Sequence, residues 1–435
     1  MTKLRFFGYW AAFVGATGGF LQNYAISAIA GALLFIEKEF SLSPEKEGLA
    51  ASIILLGALV GSLFAGSLAD RYGRRTALCV ASLIFLGSSL PFLFVTHFSV
   101  FILLRFLSGL AAGITSIICP LYLAEIAPSS LRGAFVTAFQ FFITLGMVVA
   151  YVVNFAAAES GHWRFMLFFT AIPAALQASA LFFVPESPRW LVGIGKVDQG
   201  AAVLQSLHAE DDLSFREKKP LAKSDWRELL SPALRKALFI GASLVLLQQG
   251  CGITAIAYFT PKLIQRAGFS EIKAAIGITL ALGITNSLIT LLSLFLIDRL
   301  GRRTLLLWSQ GGVALSLSLF TATFFVPGRP VLAVLTLVAF LIAFALGLGS
   351  IPWVLISEIY PLRIRARAIG IMLFLSWLSC FLIVFAFPRF LAFLGPAWTF
   401  TLYTAIACFG WGLFYRIIPE TKGKTFEEIE TALYR

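Results

Sequence analysis

Charge is what this sequence has least of. Only 13% of its 435 residues are Asp, Glu, Lys or Arg, where a water-soluble chain of that length carries about 25%, so bulk water is excluded as its main solvent. Histidine is scarce as well, and His97, His162 and His208 are dispersed among peripheral segments. The five cysteines, Cys79, Cys119, Cys251, Cys380 and Cys408, fall in or at the ends of apolar stretches without paired ligand spacing. They read as small hydrophobes rather than metal ligands, and no cofactor is expected. No pair of carboxylates lies inside an apolar stretch. A membrane enzyme would need such a pair, a nucleophile with its base, or a metal set, so an enzyme is not expected.

What is present in quantity is apolar. Hydrophobic residues make up 59% of the chain, gathered into about twelve runs of roughly twenty or more residues, the length that spans a bilayer as a helix. The first run is expected over roughly 6–36 and the last over 397–415. Strands of a membrane barrel would alternate over about ten residues, and an unpaired strand in hydrocarbon leaves its backbone polar groups unsatisfied. The fold class expected is therefore an all-α membrane protein of twelve transmembrane helices. The basic start, Lys3 and Arg5, resembles a secretion signal, but the run after it is too long and lacks a small-residue cleavage site, so it is read as the first helix.

With twelve spans and both termini on one side, 25 of the 34 Lys and Arg fall on that side, eight on the other, and Arg105 lies within a span. Positive charge marks the cytoplasmic face, so both termini are expected to be cytoplasmic. The same bias explains most of the net charge of +12 without a nucleic-acid partner; membrane lipid is the surrounding medium, and a functional monomer is expected.

Three motifs recur in order. Asp70-Arg71-Tyr72-Gly73-Arg74-Arg75 returns as Asp298-Arg299-Leu300-Gly301-Arg302-Arg303, Glu125/Pro128/Arg132 as Glu358/Pro361/Arg365, and Pro185-Glu186-Ser187 as Pro419-Glu420-Thr421, at offsets of 228, 233 and 234 residues. The chain thus reads as a duplication: six-helix bundles over 1–190 and 236–418, a polar linker over 191–235 with short amphipathic helices and Trp190 and Trp226 as interfacial anchors, and a tail over 419–435. A substrate route is expected between the halves. The repeated acids and guanidinium groups, Asp70, Arg71, Arg75, Glu125, Arg132, Glu186 and Arg189 in the first half, and Asp298, Arg299, Arg303, Glu358, Arg365 and Glu420 in the second, sit at helix ends. There they can pair between neighbouring helices as a latch made or broken while the halves rock. Positive-inside bias alone explains the arginines but not four acids at matched sites.

These motifs, with Pro120 to Gly133 (PLYLAEIAPSSLRG), PESPRWL from Pro185, QQGCGITAIAY from Gln248, PWVLISEIYPLRIR from Pro352 and PETKG from Pro419, resemble the sugar porter family of the major facilitator superfamily over nearly the whole chain. The resemblance implies the major facilitator fold and alternating access of a small-molecule sugar or polyol across a bacterial inner membrane. It implies substrate contacts at Gln140, Gln248, Gln249, Asn286, Trp353, Trp377, Tyr258 and, in place of a family asparagine, Thr254. Amides both donate and accept, which suits vicinal hydroxyls, and indole faces suit the apolar side of a pyranose; amides in apolar spans can also simply tie helices together. Ser376 and Cys380 likewise replace asparagines, so glucose itself is not implied, and a pentose, a polyol, or a methylated or deoxygenated sugar fits as well. The family's proton symporters carry an aspartate on helix 1 beside an arginine on helix 4. Here the positions hold Ala25 and Arg105. A uniporter is therefore expected, with Arg105 reaching water from the periplasmic side or using Gln22 or Asn23 as acceptors. The alternatives are proton coupling through another residue, an acidic sugar-like substrate held by Arg105, or a receptor that binds sugar without passing it.

Overall fold

The structure is a computed structural model that describes residues 2–128, 131–207, 231, 234–326, 329–361, 364–423 and 428. The linker helices expected beyond 207, Trp226, and the side chains of Arg132 and Asp298 lie outside the described residues. Every regular element among the described residues is helical. In the first half these are α1 (Thr2–Ser27), α2 (Ile29–Phe40), α3 (Pro44–Tyr72), α4 (Arg74–Ser89), α5 (Phe98–Ile126), α6 (Arg132–Ala156), α7 (Trp163–Phe168), α8 (Ala171–Leu181), α9 (Pro188–Gly193) and α10 (Val197–Ser206). The second half has α11 (Arg235–Gly250), α12 (Ile253–Ala267), α13 (Ile272–Leu300), α14 (Arg302–Thr323), α15 (Pro330–Ala343), α16 (Ile351–Ile359), α17 (Arg365–Phe393) and α18 (Gly395–Ile417). Among the described residues twelve stretches are long and apolar enough to cross a membrane, from Phe7–Phe40 to Gly395–Ile417. Such a chain is a multi-pass membrane protein. The chain divides into two compact units, Met1–Leu42 with Leu49–Lys219, and Ser43–Gly48 with Pro220–Arg435.

Small residues let helices of the first unit touch backbone to backbone. A methyl group added at Gly57 or Gly61 of α3 would meet the carbonyl oxygens of Phe106 and Leu110 at 2.2 and 2.1 Å, and one at Gly109 or Gly113 of α5 would meet those of Ile54 and Ala58 at 2.1 Å. Two glycines four apart on each helix therefore interlock. Lipid offers no hydrophobic drive for helix association, so close packing of this kind supplies the attraction.

Interruptions of the second-unit spans have local causes. α11 and α12 are parts of one span, broken where Gly252 takes φ +81°, a left-handed turn that residues with a Cβ rarely adopt. The span that holds α15 and α16 loosens into a π-helical turn at Phe344–Leu348. Pro352 follows four residues after Leu348 and has no N–H to donate to it, so the Leu348 carbonyl is left to find another donor. The amide of Leu348 is itself taken by Ser309 Oγ at 2.7 Å, and that hydroxyl donates to the Ala343 carbonyl at 2.6 Å.

Candidate substrate site and coupling position

The loop motifs build the same circuit twice, once inside each unit. In the first, Arg74 Nε lies 2.9 Å from Glu125 Oε2 and its Nη1 lies 3.3 Å from Asp70 Oδ1, while Ser187 donates its hydroxyl to Glu125. Glu186 Oε1 accepts the backbone N–H groups of Arg74, Arg75 and Ser187 at 2.8, 2.9 and 2.8 Å. The carboxylate thus caps the start of α4, where unpaired amides and the helix dipole favour an anion. Gly73, at φ +94° and ψ 162°, leaves it room: a Cβ there would stand 2.2 Å from Glu186 Oε2.

The second unit repeats the contacts of Arg74, Glu125, Glu186 and Ser187. Arg302 Nη2 is 3.2 Å from Glu358 Oε1, and Thr421 donates to Glu358 Oε2 at 2.6 Å. Glu420 accepts the amides of Arg302, Arg303, Thr421 and Lys422 at 3.0 to 3.1 Å. Burial pushes the Glu420 carboxyl up, but the four backbone donors outweigh it and hold the group below the usual carboxylate range. Arg75 and Arg303 turn to backbone carbonyls, of Val184 at 3.2 Å and Tyr415 at 2.8 Å. Arg71 lies over the Tyr72 ring, Arg299 is exposed, and Arg365 donates Nε to the Tyr360 carbonyl at 3.1 Å. Sequence reasoning singled out the acids and arginines; the two hydroxyls that complete the circuits, Ser187 and Thr421, were signalled only by their place in the repeat.

Ala25 and Arg105 meet in the first unit. Arg105 is 1% exposed and donates Nη1 to the Ala25 carbonyl at 2.6 Å. Ala25 stands in the last turn of α1, just before the joint at Ala28 beyond which the same span continues as α2. The guanidinium thus meets a backbone carbonyl dipole at that joint. Asn23 turns its amide to the Ile143 carbonyl, 2.9 Å away.

The amides of the second unit divide their tasks. Gln248 donates Nε2 to the carbonyls of Leu348 at 2.7 Å and Gly349 at 3.2 Å, answering the carbonyl that Pro352 releases. Two carbonyl partners fix that amide's orientation, and its own buried Oε1 meets no hydrogen-bond donor among the described residues. Gln249 is half-buried, accepts from Thr254 Oγ1 at 2.9 Å and lies 3.5 Å from Ser376 Oγ. Ser376, read from the sequence only as a lost amide, is therefore a partner of Gln249. Trp377 has a buried indole N–H that meets no acceptor among the described residues. Asn286 on α13 and Trp353 on α16 are half-buried and Tyr258 on α12 is buried; in the first unit Gln140 on α6 is half-buried. Among the described residues no three His, Cys, Asp or Glu gather as metal ligands.

A family model described as sugar (and other) transporter matches residues 11–433. The chain belongs to that family. It is a transporter of the sugar porter type rather than an enzyme. It is 30% identical to the glucose transporter GlcP of Staphylococcus epidermidis, over 97% of this chain and 96% of that one. It is 33% identical to an arabinose-proton symporter of Bacillus subtilis, over 95% of this chain and 92% of that one. Among solved structures, the inward-open form of the xylose transporter XylE from E. coli aligns with a TM-score of 0.84 at 26% identity, covering 98% of this chain and 100% of the other. The major facilitator fold expected from the sequence is the fold found.

Proposed function

We infer that this chain passes a neutral monosaccharide or polyol down its gradient across a bacterial inner membrane, as a uniporter working by alternating access with both termini cytoplasmic. The observation that carries the uniport reading is that Ala25, whose carbonyl Arg105 meets, stands where the family's proton symporters carry their helix 1 aspartate: a proton-coupled cycle needs a group that titrates as the gates work, and alanine does not. The glucose transporter among the relatives supports a sugar as cargo. The arabinose-proton symporter supports the second reading, proton coupling through a residue other than Ala25. Counterflow of labelled sugar into liposomes separates a transporter from a receptor, which binds without exchange.

Gln140, Gln248, Gln249, Thr254, Tyr258, Asn286, Trp353 and Trp377 are assigned to substrate. Gln249→Ala is expected to weaken sugar binding by about 1–3 kcal/mol through loss of a buried hydrogen bond. Unchanged affinity in the purified variant, read by titration calorimetry, removes Gln249 from the site.

The loop circuits are assigned to gating. Glu358→Gln keeps the shape of the side chain and deletes the charge that faces Arg302, so net transport is expected to slow several-fold, by about 1 kcal/mol in the balance of states, while binding stays near normal. Loss of binding in a folded Glu358→Gln protein would place the residue in the substrate site instead.

A further inference from the structure

Four side chains of the second unit stand in one polar line. Cys380 Sγ lies 3.6 Å from Thr254 Oγ1, Thr254 donates to Gln249 Oε1 at 2.9 Å, and Gln249 Nε2 lies 3.5 Å from Ser376 Oγ. Ser376 and Cys380, at the two ends of this line, are buried, and Gln249 and Thr254 between them are half-buried. The left-handed turn at Gly252 is what folds Thr254 back onto a glutamine only five residues earlier.

The chemistry of the pair is asymmetric. A primary amide offers two N–H donors and one carbonyl acceptor, and a threonine hydroxyl can give only one proton. That proton goes to the Gln249 carbonyl, at a distance normal for a strong hydrogen bond, whereas the contact of Nε2 with Ser376 is at the outer limit of one. The amide therefore keeps its donor capacity, while one of the two acceptor positions on its oxygen is taken by Thr254.

We propose that Thr254 is a specificity-determining residue: by donating into the Gln249 carbonyl it turns Gln249 toward the substrate as a donor, so that an oxygen that only accepts suffices at the position facing it. This rests on the assignment of Gln249 to the sugar site. The consequence is a selectivity that hydroxyl-counting does not give. A ring oxygen or a methyl ether accepts a hydrogen bond as a hydroxyl does, so one methoxy group is tolerated at the position that meets Gln249. An amide whose carbonyl were free would instead demand a donating hydroxyl and would reject the ether, because its buried oxygen would be left unpaired.

The test uses the full chain in proteoliposomes. Counterflow with labelled D-glucose, D-xylose and myo-inositol first identifies a transported parent, and the mono-O-methyl ethers of that parent, one hydroxyl capped in each, are then set in competition. In the native protein one ether is expected to compete within about threefold of the parent. In Thr254→Val, which keeps the shape and loses the proton, that same ether is expected to fall by about tenfold relative to the parent, the size of one unpaired polar group. Thr254→Ala is expected to shift the ratio in the same direction, and Thr254→Ser, which keeps the hydroxyl, to leave it native. If the native protein accepts no ether, or if folded Thr254→Val and Thr254→Ala keep the native ratio, the proposal is wrong. If no neutral sugar or polyol exchanges at all, it is the sugar reading that fails, before the role of Thr254 comes into question.

Discussion

Ala25→Asp is expected to make transport steeply pH-dependent, where transport by the native protein is flat. Arg105 and Ala25 are 1% and 4% exposed, and the guanidinium already reaches the Ala25 carbonyl at 2.6 Å. A carboxylate added on the next atoms of the same residue falls within reach of that guanidinium. The pair then loses or gains a net charge whenever the carboxylate is protonated, and the two gate positions differ in how well they tolerate that charge. The initial rate of counterflow is expected to change about tenfold in Ala25→Asp across the pH range where the new group titrates, and by less than about twofold in the native protein. Ala25→Asn, matched in size and unable to titrate, is expected to stay flat. A steep pH profile in the native protein would show that a different residue carries a coupled proton.

The second large effect belongs to the capping carboxylates. Glu186→Ala leaves three backbone N–H groups, of Arg74, Arg75 and Ser187, without their charged acceptor. Glu420→Ala does the same to four. An N-cap is worth about 1 kcal/mol and a hydrogen bond to a charged group about 1.5–3 kcal/mol, so each variant is expected to lose about 3 kcal/mol of stability. The two circuits belong to different compact units and are built from different residues, so the double variant is expected to show close to the sum. Glu420 adds a pH signature. Its folded carboxyl is held below the ordinary range by the backbone donors, in spite of burial; its contribution is complete above the ordinary carboxylate pKa and is lost as the pH falls through the lowered folded value. Glu420→Ala should therefore flatten the acid limb of the stability profile. Thermal melts of the purified protein in detergent check both points, and melting temperatures unchanged by either substitution would contradict the capping role.

How far the sequence carried depends on what kind of feature was being read. Long apolar runs dictate membrane helices because hydrocarbon leaves the backbone no other way to pair its polar groups, so the spans were legible. Recurrence of Gly73 and Gly301, each before a pair of arginines, made the duplication legible too. The use of Glu186 and Glu420 was not, because a carboxylate that caps a helix more than a hundred residues away is chosen by tertiary placement and has no local pattern. The break at Gly252 could be read from its neighbours, since glycine alone takes φ +81° at little strain. The fate of Gln248 needed two remote facts, the carbonyl that Pro352 frees at Leu348 and the approach of α11 to it. Thr254 and Ser376 looked like subtractions from an amide-rich site; in the fold both engage Gln249. The contact of Arg105 with the Ala25 carbonyl was equally hidden, because a backbone carbonyl is present at every residue and the sequence marks none of them.

The central claim is downhill passage of a neutral sugar without a coupled proton, and one measurement bears on it directly: uptake of a labelled neutral sugar by proteoliposomes under an imposed inward proton gradient, with and without an uncoupler. The expected result is protein-dependent entry that stops when the inside concentration equals the outside and does not respond to the uncoupler. Accumulation above the external concentration that the uncoupler abolishes would contradict it.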